Sequence, residues 1–167
     1  MINREIIRIK IVQLTYAYYQ NGNKNIDTAE KELFFSLSKA YDLYNHLLAL
    51  IVALTKEARR RLEVLQAKAR REGTPEPPQK FAYNRFALQL EENKQLLEFL
   101  ETQKRTWADE PEFVGRLLEQ IEQSQIYLDY LQGDDSYEAD RELWRRLYRT
   151  LIQDNADLDQ ILEEQSL

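Results

Sequence analysis

Hydrophobic residues recur every three or four positions along almost the whole chain, and polar residues fill the positions between them. This spacing places apolar side chains on one face of a helix, whereas a half-buried strand would alternate every second residue. No stretch of the sequence alternates in that way over the length of a strand, and only four glycines and four prolines interrupt the pattern. The sequence therefore predicts an all-α fold, a helical bundle.

Breaks in the pattern divide the chain into helices. The first helix should end at residues 21–23, where Asn, Gly and Asn follow one another. A second pattern begins at Asp27, the predicted N-cap, with Glu30 in capping-box position, and it continues to Arg71 without Gly or Pro. We expect this segment to form one long helix, or two helices with a kink. The chain should then turn back at the proline-rich linker 72–80, so that the helices after the linker form the return limb of a long antiparallel pair.

Short polar residues mark the starts of the later helices. Their side chains can accept hydrogen bonds from the free N–H groups of a first helical turn. A helical stretch should begin around residues 81–88, directly after the linker. The N-caps predicted after it are, in chain order, Asn93, Asp109 (with Pro111 in the first turn), Ser124, Ser136 and Asn155.

Composition narrows the class of protein. With 167 residues, 43% hydrophobic and 31% charged, the chain suits one globular domain or two small ones. The absence of cysteine excludes disulfides, thiolate metal sites and cysteine nucleophiles, and it fits a reducing compartment, so we predict a cytoplasmic protein. The longest apolar run, residues 47–54, is much shorter than the ~20 residues of a membrane-spanning helix.

Charge is distributed unevenly along the sequence. The net charge is -6, but residues from Arg105 onward contain 6 Lys+Arg and 16 Asp+Glu, whereas the first 104 contain 17 and 13. An acidic protein is not expected to coat nucleic acid, and any nucleic acid should meet the basic front half. The alternative is that the uneven charge serves only solubility.

The first helix is locally basic, because it contains three cations, Arg4, Arg8 and Lys10, and only one acid, Glu5. Arg4 and Arg8 are four residues apart and share a helix face, while Lys10 lies about 200° around the helix from Arg8. We take all three as candidate RNA-binding residues. The alternative is that they are ordinary solvated charges. The basic run 56–71 could also bind RNA or an acidic partner, although an exposed helix face explains it more simply.

Catalytic and metal-binding patterns are missing from the sequence. His46 is the only histidine, and the residue three positions before it is Leu43, so the Glu-x-x-His pairing of a helical di-iron site is absent. The acidic run 133–138 lacks the glycine that a calcium loop needs, because Ala139 occupies that position. We therefore predict no catalytic residue, no metal, no cofactor and no enzymatic activity.

Two stretches carry a family resemblance. The first helix contains, in order, Arg8, the pair Val12-Gln13, Tyr16, Tyr18 and Gln20. Near the other end stand Leu143-Trp144-Arg145-Arg146-Leu147, then Leu151, then Asn155-Ala156-Asp157-Leu158-Asp159. Together these stretches, about a third of the chain, resemble the opening helix and a later helix of the NusB family of bacterial transcription antitermination factors.

The resemblance implies an all-α protein without catalysis or cofactor. NusB-like proteins bind the boxA element of nascent RNA together with the ribosomal protein NusE, and the complex helps RNA polymerase to read through terminators. By position, Arg4 and Arg8 inherit the role of the arginines that face RNA. Tyr16 inherits a place near the partner protein, and Tyr18, the aromatic residue close behind it, is a second partner-binding candidate.

About 120 residues separate the two stretches, many more than in the family. We therefore expect a NusB-like subdomain made of 1–54 and 136–167, with 55–135 as an inserted helical region. The resemblance covers only the N-terminal portion of the family, and exposed apolar surface would then permit a homodimer. A different class of function is a helical protein-interaction scaffold, in which the long helix 27–71 and its return limb recruit a partner.

Overall fold

The computed structural model describes residues 4–22 and 25–165, and every regular element in these two ranges is helical. The predicted all-α bundle is confirmed. A 3₁₀ turn at Trp107–Asp109 precedes the fifth helix, and a π-helical turn at Tyr148–Ile152 follows the seventh. The helices are α1 (Arg4–Gln20), α2 (Ile26–Glu72), α3 (Arg85–Glu91), α4 (Lys94–Glu101), α5 (Pro111–Glu122), α6 (Gln125–Gln132), α7 (Tyr137–Leu147) and α8 (Ala156–Glu164).

The end of α1 follows the prediction, whereas the start of α2 does not. α1 ends at Gln20, and Gly22 has a φ of +61°, which glycine adopts without steric cost. At the start of α2, the side chain of Asn25 accepts hydrogen bonds from the backbone N–H groups of Asp27 (3.0 Å) and Thr28 (3.3 Å). Asp27 as the N-cap is therefore wrong: it lies in the first turn, where its negative charge favours the helix dipole.

α2 is a single helix of 47 residues, but the expected return limb is divided into short helices. Asn84 caps α3 by accepting from the N–H of Ala87 (3.1 Å), and Asn93 caps α4 by accepting from that of Leu96 (2.9 Å). These two caps interrupt the limb, because each starts a new helix with its own direction. The caps predicted at Asn93, Ser124, Ser136 and Asn155 are confirmed.

The predicted cap at Asp109 is wrong. α5 begins with Pro111 at its first position, and the residue before it makes no side-chain capping bond. The Asp109 carboxylate turns back instead and accepts from the N–H of Thr106 (2.8 Å), while the Thr106 hydroxyl accepts from the N–H of Ala108 (3.3 Å). Asp109 thus closes the 3₁₀ turn, and Pro111 makes a cap for α5 less necessary because it has no N–H at that position.

The chain divides into two compact units. The first contains the residues up to Asn45, and the second comprises His46–Gln165. Residues 136–165 therefore pack within the second unit. The division into compact units does not test whether residues 1–54 and 136–167 form a NusB-like subdomain, so that subdomain stays a prediction.

The second unit has a closely packed hydrophobic core. Its most deeply buried side chains come from the second half of α2, from α5 and from the end of α7: Leu50, Leu54, Leu117, Leu118, Ile121 and Leu147. Beside them, the buried Trp107 stacks on Phe113 with ring centroids 5.7 Å apart, and its indole N–H donates to the backbone carbonyl of His46 (2.7 Å). This core fixes the relative positions of α2, α5 and α7 within the unit.

A buried polar network joins α3, α6 and α7. The carboxylate of Asp140 accepts from the hydroxyl of Tyr130 (2.6 Å) and from the backbone N–H of Arg85 (2.9 Å). The buried Asn84 accepts from the indole N–H of Trp144 (2.9 Å). Burial raises the pKa of the Tyr130 hydroxyl, which therefore remains a donor at neutral pH. Since these groups are satisfied by one another, the network stabilises one arrangement of the three helices.

Lys80 holds the end of the linker against α6. Its ammonium group donates to the backbone carbonyls of Tyr130, Gly133 (3.1 Å) and Asp134 (2.8 Å). The same group lies 4.3 Å from the centre of the Tyr130 ring. The acidic run 133–138 is therefore a short loop followed by the start of α7 at the predicted N-cap Ser136.

Candidate nucleic-acid interface

α1 is a helix of 17 residues, none of which is buried. Its least exposed side contains the half-buried Ile7, Leu14 and Tyr18. Most of the stability of a helix in a protein comes from packing of its apolar face. Much of the surface of α1 is thus available for binding, and a partner would stabilise the helix.

Arg4 and Arg8 lie one turn apart on the exposed side of α1, and neither forms an ion pair with any residue in 4–22 or 25–165. At about 100° per residue, Val12 lies about 40° from Arg8 and Tyr19 about 20° from it. Val12 is 67% exposed and Tyr19 77%. We call these four residues the Arg–Tyr strip: two cations at one end of a helix face, followed by an apolar and an aromatic side chain.

Lys10 does not belong to the strip. It lies about 200° around the helix from Arg8 and is half-buried beside Ile7 and Leu14. The structure therefore brings together two of the three predicted RNA-binding cations. A role for Lys10 in binding RNA stays a prediction, and it would involve the opposite side of α1.

The two tyrosines predicted to bind a partner lie on either side of the strip. Tyr16 and Tyr18 are each about 80° from Arg8, in opposite directions around the helix. Tyr16 is exposed, and its hydroxyl accepts from the side-chain amide of Gln20 (3.0 Å). Tyr18 is half-buried, with its ring edge-to-face against that of Tyr19 at 5.5 Å.

Tyr19 was not chosen as a site residue from the sequence, where tyrosines beside cations suggested base stacking but a core or interface role was favoured. It is the most exposed aromatic side chain in the described residues. The available signal was its separation of 11 positions from Arg8, close to three full helical turns. An aromatic residue in line with two arginines combines a stacking surface with positive charge, which is typical of single-stranded RNA sites.

The basic run 56–71 is used largely within the second unit. Glu57 accepts hydrogen bonds from Arg60 (2.7 Å) and Arg61 (2.8 Å), and the bond from Arg60 is the main reason why its pKa falls to about 2. Arg59 forms an ion pair with Glu91 of α3. The Arg59–Glu91 pair joins α2 to α3, whereas the bonds of Glu57 lie within α2. A role of the run in binding RNA or an acidic partner stays a prediction.

The remaining questions raised by the sequence concern His46, a metal site and a membrane-spanning helix. His46 is buried, and its ring meets that of Phe99 edge-to-face at 5.2 Å. Within the described ranges, no group of His, Asp and Glu side chains is arranged to hold a metal ion. In the same ranges, no helix combines the length and the apolar character that crossing a membrane requires.

Comparison with known proteins gives no match among protein-family models, curated proteins or solved structures. Membership of the NusB family is therefore a proposal, and it depends on the two stretches of sequence that resemble that family.

Proposed function

We propose that this chain is a transcription antitermination factor of the NusB type, a cytoplasmic adaptor without enzymatic activity. It binds boxA-type nascent RNA together with ribosomal protein NusE, within the antitermination complex of RNA polymerase. The observation that supports the proposal is the Arg–Tyr strip, because it presents two arginines without an ion pair to any described residue and an exposed tyrosine on one face of α1.

Each part of the strip has a separate role in the proposal. Arg4 and Arg8 neutralise RNA phosphates and release the counterions bound to them. Tyr19 stacks on an unpaired base. Tyr16 and Tyr18, on the two sides of the strip, contact NusE through their rings while their hydroxyls stay near water.

Binding of a fluorescent boxA-like RNA, measured by anisotropy in the presence of NusE, tests this function. We expect Arg4→Ala with Arg8→Ala to weaken binding about tenfold or more, because two phosphate contacts are lost. The control is Lys104→Ala with Arg105→Ala, which removes the same charge from two exposed residues outside the basic run 56–71. Equal affinities for the wild type and the α1 variant would refute the RNA role of α1.

A second function, a helical protein-interaction scaffold, is favoured by one specific feature of α2. Phe34, Leu37, Tyr41 and Tyr44 follow one another at intervals of three, four and three residues, and Phe34, Tyr41 and Tyr44 are exposed. This is the spacing of a helix–helix contact. We call the four residues the α2 seam; a second copy of the chain is one candidate to cover it.

Photo-crosslinking separates the two functions. A photoreactive amino acid is placed at position 34 instead of Phe34. If the chain is a protein-interaction scaffold, we expect crosslinks to protein that survive ribonuclease treatment. Crosslinks that disappear with the RNA support the antitermination adaptor instead. The same amino acid in place of Lys68, exposed on α2, controls for non-specific capture.

A further inference from the structure

The second unit contains a groove of about 940 Å³ between α2 and the segment from Leu100 to Glu119. Its walls are two helices, α2 and α5, and its end is the 3₁₀ turn. The residues along its base are small or apolar: Ala49, Val52, Ala53, Trp107, Ala108 and Gly115. Small side chains on both sides leave space that a large apolar side chain of another molecule could fill.

The groove is preformed, because its walls are held by specific contacts. Arg61 reaches from α2 to α5, where it donates to the carbonyl of Gly115 and to Glu119, both at 3.4 Å. A Cβ atom on Gly115 would lie 3.1 Å from the Arg61 guanidinium, so glycine allows this close approach. Trp107 is fixed by its bond to the carbonyl of His46.

The α2 wall is positively charged. Lys56 and Arg60 are one turn apart, and their side chains are 65% and 67% exposed. Both cations already have a partner within the chain, since Arg60 pairs with Glu57 and Lys56 lies 3.7 Å from Glu91, yet each keeps about two thirds of its side-chain surface exposed. With Arg61, this wall carries three cations against the single acid Glu57. This wall is unusual for the second unit, since residues 46–165 contain 17 Lys+Arg and 24 Asp+Glu.

The α5 wall is mixed in charge. Glu112, Arg116 and Glu119 follow one another along its rim. A nucleic-acid backbone in the groove would pass close to both carboxylates, which repel phosphates. A helix with acidic residues along one edge only would place them at the α2 wall and away from Glu112 and Glu119.

We propose that this groove binds an amphipathic helix of a partner protein. The apolar side chains of that helix pack on Ala53 and Ala108, which line the groove, and carboxylates one turn apart pair with Lys56 and Arg60. Burial of the apolar side chains supplies the affinity, and the cations select acidic partners. The site is separate from the Arg–Tyr strip and does not depend on the proposed RNA function.

Selection from a phage-displayed library of random peptides of about 14 residues, or four helical turns, tests the proposal on the full chain. We expect enriched peptides with apolar residues at helical spacing and acidic residues along one edge. Affinity of a selected peptide should fall about tenfold with Lys56→Gln and Arg60→Gln, because two ion pairs are lost. Ala53→Trp fills the groove and should abolish binding.

Two controls make the result decisive. Lys68→Gln with Arg71→Gln removes equal charge outside the groove and should leave the affinity for the peptide unchanged. Ala53→Leu is used instead of Ala53→Trp if the tryptophan side chain prevents folding. Selected peptides without acidic residues, or with full affinity for the filled groove, would overturn the proposal. Single-stranded RNA is then added as a competitor to the wild type and to the Lys56→Gln, Arg60→Gln variant. If RNA displaces the peptide from the wild type but not from the variant, the groove is a nucleic-acid site and the proposal is overturned.

Discussion

The two compact units bury their hydrophobic residues to very different extents. Of 17 large apolar side chains that are exposed in the described ranges, 11 precede residue 46, although this part is little more than a quarter of the chain. The second unit contains nearly all of the buried core and most of the negative charge. The second unit therefore contains the core that stabilises the fold, whereas the first unit leaves most of its large apolar side chains at the surface.

The difference shows what helical periodicity does and does not predict. Both α1 and α5 have apolar residues at helical spacing, yet α1 buries none of them, while α5 buries six residues. The pattern specifies which side of a helix is apolar. Whether that side packs within the chain or on a partner depends on residues distant in sequence.

The largest expected effect comes from the core of the second unit. Leu118→Ala should lower the free energy of unfolding by about 3 kcal/mol, because Leu118 is completely buried and its loss leaves a cavity. Val12→Ala on α1 should change it by less than about 0.5 kcal/mol. Urea unfolding followed by circular dichroism measures both, and comparable losses would contradict the contrast between the units.

The buried polar network should give the next largest effect. Asp140→Ala removes the acceptor for the Tyr130 hydroxyl and the Arg85 N–H, and we expect a loss of about 2 kcal/mol in urea unfolding. Asp135→Ala is the matched control, since its carboxylate also pairs with Arg85 but is exposed. A loss as large for Asp135→Ala would mean that the network is no more important than a surface ion pair.

Acid should weaken the second unit through Glu57. Hydrogen bonds, first of all from Arg60, lower its pKa from 4.5 to about 2, so the ionised form stabilises the fold above pH 4.5. This contribution is lost as the pH falls from 4.5 towards 2. Glu57→Gln should cost about 1 kcal/mol at pH 7, a modest amount because the Arg60 side chain is 67% exposed and solvent screens the pair. Near pH 2 the cost should be almost nothing, because Glu57 is then substantially protonated in the wild type.

Thermal unfolding of wild type and Glu57→Gln across this pH range measures the difference between them, in which contributions from other carboxylates cancel. Glu63→Gln, an exposed substitution on the same helix, is the matched control. A constant difference between wild type and Glu57→Gln at all pH values would refute the assignment to Glu57.

The smallest effect on stability is expected at the α2 seam. Phe34→Ser should change the free energy of unfolding by less than about 0.5 kcal/mol, because the ring is exposed. It should nevertheless reduce binding of a hydrophobic dye to the native chain, since apolar surface is removed. A large loss of stability would show instead that Phe34 packs within the protein.

Local signals predicted much of the fold. The turn after Gln20 and the caps at Asn93, Ser136 and Asn155 were predictable because each depends on a few adjacent residues. Asp140 was not: it looks like a solvated acid on α7, and its burial depends on Tyr130 and on Arg85, 55 positions away. Asn84 was missed for a similar reason, since its second partner is Trp144.

The candidate sites differ in the same way. The shared face of Arg4 and Arg8 follows from a spacing of four residues, so sequence alone could identify it. The groove could not be predicted, because its two walls come from residues 49–61 and 100–119 and meet only in the folded chain. Neither segment has a recognisable motif of its own.

The central claim is that Arg4 and Arg8 contact RNA phosphates, and the salt dependence of RNA binding tests it most directly. For a single strand, each lost phosphate contact lowers the slope of log affinity against log salt by about 0.7, so the Arg4→Ala, Arg8→Ala variant should have a slope smaller by about 1.4. The Lys104→Ala, Arg105→Ala control should keep the slope of the wild type. A slope unchanged in the α1 variant, measured with boxA-like RNA and NusE, would contradict the account.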